Sequence, residues 1–203
     1  LRAKGQILAY HDRSDGGLLA AVAEMAFAGH VGVALNVDML VTEGDGISDS
    51  RMETGDAKNW AQQVSARREE LTLKALFNEE LGVVLQVRTA ERNEVMQTLR
   101  EHGLSKFSHF IGKTRPASSS INAGKGELQV WRDAKAVFSA PLADLHQVWD
   151  AVSWKICQQR DNPANADAEH ATAGEPTDPG MQVHLTFDAS DDVAAPFLNL
   201  SRP

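Results

Sequence analysis

An apolar run, Gln6-Ile7-Leu8-Ala9-Tyr10, passes into His11-Asp12-Arg13-Ser14-Asp15-Gly16-Gly17 and then into Leu18-Leu19-Ala20-Ala21-Val22-Ala23-Glu24-Met25-Ala26. This succession restricts the architecture more than any other stretch: it predicts a strand, an acidic turn with two adjacent glycines, and a helix. Such a turn sets unpaired backbone N–H groups and the positive end of a helix dipole beside carboxylates. Phosphate and a divalent cation are the ligands it suits. The same residues also have a purely local reading, with Ser14 or Asp15 as the N-cap and Gly16-Gly17 easing a close turn. The spacing matches neither the G-x-x-x-x-G-K-[ST] loop nor the G-x-G-x-x-G fingerprint.

With 203 residues, 42% of them hydrophobic, the chain is long enough for one domain of good size with residues to spare. No run approaches the ~20 apolar residues that cross a bilayer. The amino terminus, Leu1-Arg2-Ala3-Lys4-Gly5, has neither an initiator methionine nor the apolar core of a signal peptide, and reads as a cut inside a longer polypeptide. A single cysteine, Cys157, excludes an internal disulfide framework and suits a reducing compartment. It lies in a helical stretch without a neighbouring histidine, so it reads as a packed or partly exposed thiol rather than a nucleophile. The net charge is −8, and eight acidic residues against Arg202 alone fall in residues 161–203. The preceding residues are close to neutral and carry no basic stripe, which speaks against nucleic acid as a partner.

Along the chain the pattern predicts an α/β domain over roughly residues 1–162. Residues 31–37 alternate as a strand, and residues 41–55 turn polar and acidic, as a surface insertion would. Asp56 is placed to cap a helix carrying Trp60, Val64 and Leu71, so the insertion extends over about 41–71. Residues 83–87 read as a strand. Glu91 to His102 reads as a helix with Val95, Met96 and Leu99 on one face, stopped by Gly103. Residues 107–112 read as a strand, and 128–131 with 136–138 as a hairpin turning through 132–135. A long helix from Pro141 to Asp161 carries the stripe Leu142, Leu145, Trp149, Val152 and Ile156, which predicts core packing. Asn162-Pro163 is expected to end it, and residues 163–180 to form an irregular acidic linker. Residues 183–187 and 194–198 are short apolar motifs suited to docking.

Several strings resemble the large bacterial form of phosphoribosylformylglycinamidine synthase. They are Ala9-Tyr10-His11-Asp12-Arg13-Ser14-Asp15-Gly16-Gly17-Leu18 with Ala23-Glu24-Met25-Ala26-Phe27-Ala28-Gly29-His30, and Ala75-Leu76-Phe77-Asn78-Glu79-Glu80-Leu81-Gly82. Further along come Trp154, Arg160-Asp161-Asn162-Pro163, Ala166-Asp167, Glu169-His170, Asp178-Pro179-Gly180, Thr186-Phe187-Asp188 and Asp192-Val193-Ala194-Ala195-Pro196-Phe197. Their order and reach over most of the chain place the resemblance on the second of two synthase-type C-terminal domains. The acidic connector, 163–203, would then lead to a glutaminase domain. The resemblance implies a mixed sheet covered by helices, as in the C-terminal domain of aminoimidazole ribonucleotide synthase. It also implies a cytoplasmic, ATP- and glutamine-dependent ligase that converts formylglycinamide ribonucleotide to formylglycinamidine ribonucleotide, with the amide oxygen first activated as an iminophosphate.

For this segment the resemblance implies no catalytic residue but an auxiliary, structural site for ADP and Mg2+. Asp12 would be the metal ligand, Ser14 would bond the nucleotide, and Asp15, Gly16 and Gly17 would bring the helix head to the phosphates. His11, on the opposite face of an extended strand, reads as structural. Glu79 and Glu80 either border the cleft or form a solvated helix end. The implied partners are the remaining synthase and glutaminase domains of the same chain and small-molecule substrates, with no nucleic acid and no membrane. Two further readings are a non-catalytic docking module and another ATP-binding member of the superfamily, such as selenophosphate synthetase or thiamine-monophosphate kinase.

Overall fold

The computed structural model describes residues 1–44, 57–115 and 126–173, together with residues 175, 186 and 188. In chain order the strands are β1 (Ala9–Asp12), β2 (Gly32–Asn36), β3 (Val83–Gln86), β4 (Gly112–Arg115), β5 (Glu127–Arg132) and β6 (Lys135–Pro141). The helices are α1 (Gly17–Gly29), α2 (Asp38–Gly44), α3 (Ala57–Phe77), α4 (Arg92–Glu101), α5 (Leu142–Arg160) and α6 (Pro163–Ala173). β1 and β3 form an antiparallel ribbon with Tyr10 opposite Leu85 and Asp12 opposite Val83. The other four strands form one mixed sheet in the order β4-β2-β5-β6, with β2 and β5 parallel and the outer pairs antiparallel. The expected class, a mixed sheet covered by helices, is therefore what the chain adopts.

The core follows from periodicity. Leu128 and Val130 alternate inward along β5, and Leu35 joins them from β2. Leu18, Val22 and Ala26 recur every four residues along α1 and, with the adjacent Phe27, close over them, joined by Leu76 from α3 and Leu142 from α5. Fully burying a leucine or valine side chain contributes roughly 1.5–3 kcal/mol, so this set outweighs any surface ion pair described below. The hairpin turns at Asp133 and Ala134, both at positive φ as a tight two-residue connection requires. Its Asp133 N–H donates to Asp38 Oδ1 (2.8 Å) and its carboxylate accepts from Arg68 of α3 (2.6 Å), which ties the turn to two helices.

Several sequence expectations move. The first strand starts at Ala9 rather than Gln6 and runs on through His11 and Asp12, which local hydropathy assigned to the turn. Val41 does not open a surface insertion: it sits on α2 and is fully buried in the core. The helix expected after residue 56 is α3, and its Leu71 packs against the core. Asp56 and the side chains of Trp60 and Val64 lie outside the described residues. The strand expected at 107–112 is displaced to β4, because the backbone of β2 pairs with the polar residues Gly112–Arg115 instead.

At the carboxyl-terminal end the linker expectation fails for residues 163–173, which form α6. Asn162 Oδ1 accepts the Ala164 N–H (2.9 Å) and Pro163 takes the first helical position, so this pair starts a helix as well as ending one. α6 lies back against α5: Trp154 Nε1–H donates to Asp167 (2.9 Å), Trp154 stacks on His170 at 4.2 Å, and His170 Nδ1 pairs with Asp150 (2.9 Å). The stripe on α5 is only partly core. Leu142 is buried and Leu145 half-buried, but Trp149, Val152 and Ile156 remain 56%, 70% and 55% exposed. Cys157 is half-buried on α5. Among the described residues no helix is long and apolar enough to cross a membrane. The motifs at 178–180, 183–187 and 192–198 lie outside the described residues, apart from the isolated Thr186 and Asp188.

Candidate functional site

β1, the turn at residues 13–16 and the head of α1 form an elbow, and a second loop, residues 78–82, wedges against it. Strand alternation decides which side chains face where. Tyr10 and Asp12 point outward, and His11 points inward, where its Nε2 meets Glu24 Oε2 of α1 at 2.8 Å. The expectation of a structural His11 on the face opposite Asp12 fits this geometry. The Tyr10 hydroxyl donates to Asp12 Oδ1. That bond to the carboxylate, and the carboxylate's charge, hold the phenol above its ordinary ionisation range.

The two glycines have separate jobs. Gly16, at φ 78°, is the N-cap of α1, and no side chain of its own turn caps the helix, so neither Ser14 nor Asp15 plays the local capping role expected of it. Gly17 is buried at φ 71°, and a Cβ there would lie 2.7 Å from the Leu76 carbonyl oxygen and 2.7 Å from the Phe77 carbonyl carbon. Only glycine combines that left-handed backbone with so close an approach to the end of α3. The Gly17 N–H donates to the Ser14 carbonyl (2.9 Å), closing the turn, and the Gly16 N–H donates to Glu79 Oε1 (2.9 Å).

Arg13 completes the junction. Its N–H extends the β1–β3 ladder to the Gly82 carbonyl (2.8 Å), and its Nε donates to the Glu80 carbonyl (2.8 Å). Two stretches some sixty residues apart in sequence, around residues 9–18 and 75–82, thus form a single junction. Glu79 is the site residue that spacing alone did not select, since nothing local marks a carboxylate that caps a helix 63 positions away. Its only sequence signal was membership of the second motif.

Asp12, Ser14, Asp15 and Gly16 all lie exposed on this elbow. Among the described residues the side chains of Ser14 and Asp15 make no hydrogen bond or ion pair, while Asp12 holds only Tyr10. Gly17 is brought to the junction but faces α3 rather than solvent. Among the described residues no three His, Cys, Asp or Glu side chains gather as a metal cage. A lone exposed carboxylate beside a helix head nevertheless fits Mg2+, which keeps several waters and is commonly held by one or two carboxylates and shared phosphate oxygens.

The profile of the family described as "AIR synthase related protein, C-terminal domain" matches residues 1–121, a span that contains the whole elbow and its wedge. The chain belongs to that family. Among solved structures it is similar to Thermotoga maritima PurL complexed with ATP, at 14% identity and a TM-score of 0.44, covering 69% of this chain and 19% of that one. It is also similar to T. maritima PurL complexed with FGAR, at 15% identity and a TM-score of 0.45, covering 70% and 18%. A third, the PurLQS structure from T. maritima, gives 15% identity and 0.44, covering 69% and 18%. The chain spans less than a fifth of the length of these structures.

Proposed function

We propose that this chain is a synthase-type domain, residues 1–162, with a connector, 163–203, of phosphoribosylformylglycinamidine synthase. The whole enzyme is then an ATP- and glutamine-dependent carbon–nitrogen ligase of cytoplasmic purine synthesis, and this domain contributes a structural Mg-ADP site rather than catalysis. One observation carries the reading: in a member of the AIR-synthase-related family, Asp12, Ser14 and Asp15 stand exposed together at the head of α1. The adenine contacts, the catalytic site and the ammonia-producing glutaminase belong to the other domains of the same polypeptide.

In this reading Asp12 supplies a carboxylate oxygen to the metal, and Ser14 donates its hydroxyl to a phosphate oxygen. Bound there, Mg2+ neutralises the charge of the diphosphate. The Gly16 N–H points from the helix head, where an anion gains from the dipole, and Glu79 already occupies it. Glu79 therefore stands in for a phosphate and is displaced when the nucleotide arrives. Isothermal titration of Mg-ADP into the complete polypeptide tests both roles. Asp12→Ala should weaken binding at least tenfold, whereas Glu79→Gln should strengthen it by removing a competing negative charge. Tightly retained nucleotide and magnesium in the Asp12→Ala protein would sink the metal assignment.

The docking-module reading draws on a different observation, the exposed apolar stretch of α5 at Trp149, Val152 and Ile156. It predicts that Val152→Asp abolishes the activity of the complete enzyme while Mg-ADP stays bound.

A further inference from the structure

The inward face of the elbow leads through α1 to α5. Both ring nitrogens of His11 lie beside oxygens that only accept: Nδ1 is 2.6 Å from the Asp12 main-chain carbonyl, and Nε2, in the tautomer that donates, is 2.8 Å from Glu24 Oε2. The other oxygen of the same carboxylate, Glu24 Oε1, accepts the indole N–H of Trp149 (3.0 Å). One carboxylate thus joins two N–H donors that arrive from opposite sides, β1 and α5. The far end is itself fixed: Phe27 of α1 stacks on His146 at 4.6 Å with the rings 8° from parallel, and lies against Trp149 at 6.0 Å. The line from Trp149 through Glu24 and His11 to the Asp12 backbone is continuous, and it enters the elbow at the residue whose side chain faces outward.

We propose that Glu24 and His11 are positioning residues that transmit the orientation of α5 to the elbow, so that the backbone at Asp12 follows the Trp149 indole. A glutamine at residue 24 offers one acceptor oxygen and one amide donor, so it keeps both partners only if the His11 ring takes the tautomer whose unprotonated Nε2 accepts from the amide. Three side chains about a third to a half exposed would contribute little as separate surface contacts, and coupling between them is what a shared carboxylate adds.

The test is nuclear magnetic resonance of this chain labelled with 15N, without nucleotide. Trp149→Phe keeps a ring beside Phe27 but removes the indole N–H. It should shift the His11 ring nitrogens and the backbone amides of residues 12–15, far from the substituted position in sequence. Glu24→Gln should shift the same signals together with the Trp149 indole N–H. Val152→Ala, an exposed change farther along α5 and outside the relay, should leave them in place. Elbow resonances that superimpose on the wild type in Trp149→Phe would overturn the proposal, as would equal shifts in Val152→Ala. Coupling in this chain, together with Mg-ADP binding by the complete polypeptide that Asp12→Ala leaves unchanged, supports the relay and removes only the nucleotide reading, so the two failures are distinguishable.

Discussion

The elbow at the head of α1 and the pair formed by α5 and α6 both carry many polar side chains, yet they use them in opposite ways. In the helix pair the polar groups are turned on one another: Trp154 on Asp167, His170 on Asp150, Asn162 on the first turn of α6. At the elbow the outward side chains take no part in the holding, which falls to the backbone of Gly17 against α3, to the Arg13 N–H and Nε on the Gly82 and Glu80 carbonyls, and to Glu79 on the Gly16 N–H. The side chains of Asp12, Ser14 and Asp15 are left at the surface. Side chains that hold a fold are spent on it. Those on a rigid backbone that does not need them are available for a ligand.

The largest effect that separates the two regions should come from Gly17→Ala. A left-handed residue with a Cβ costs about 1–2 kcal/mol, and the forced contact with the end of α3 brings the total to about 3 kcal/mol or more in urea unfolding. Stability within experimental error of the wild type would mean that the backbone does not hold the elbow. Trp154→Ala removes the stack on His170 and the bond to Asp167, and should cost about 2 kcal/mol. Hydrogen exchange should place that loss in α6, with faster amide exchange there and protection in α1 unchanged. Uniform loss of protection would show that the two regions are not separable.

The smallest stability effect, and the sharpest local one, belongs to Asp12→Asn. An exposed side chain that packs against nothing should change stability by no more than about 0.5 kcal/mol. Tyr10 is the only tyrosine, so ultraviolet absorbance reads its ionisation alone. Removing the Asp12 charge should lower the phenol from its raised value toward 10.0. The sign for stability follows. Folding favours the neutral phenol, so the contribution of the Tyr10–Asp12 bond is complete below the unfolded value and is lost as pH climbs through the folded one. A titration curve identical in the two proteins would separate Tyr10 from Asp12.

Much of this was legible in sequence because periodicity is local. α1, β2, β3, α4 and the β5–β6 hairpin stand where alternation or helical spacing put them. Gly103 at φ 74° follows α4 as expected of a helix stop. β4 is not legible, since each residue of Gly112–Arg115 is exposed and its strand character comes from the β2 backbone rather than from its own side chains. Asn162-Pro163 was read as a stop when the same two residues are also a helix start. The stripe on α5 showed which residues share a face but not whether anything covers that face. The elbow itself was legible as a motif, but the Glu79 cap and the Glu24 bridge were not, because each joins positions that only the folded chain brings together.

The most direct measurement uses Mn2+ in place of Mg2+ with ADP on the complete polypeptide, and records which 15N-labelled resonances of this domain the paramagnetic ion broadens. If the outward face of the elbow is where a diphosphate and its cation meet this domain, Tyr10 to Gly16 and Glu79 lose intensity first, α6 is untouched, and Asp12→Asn abolishes the pattern. Broadening that falls elsewhere on the chain, or that survives Asp12→Asn unchanged, would contradict the account.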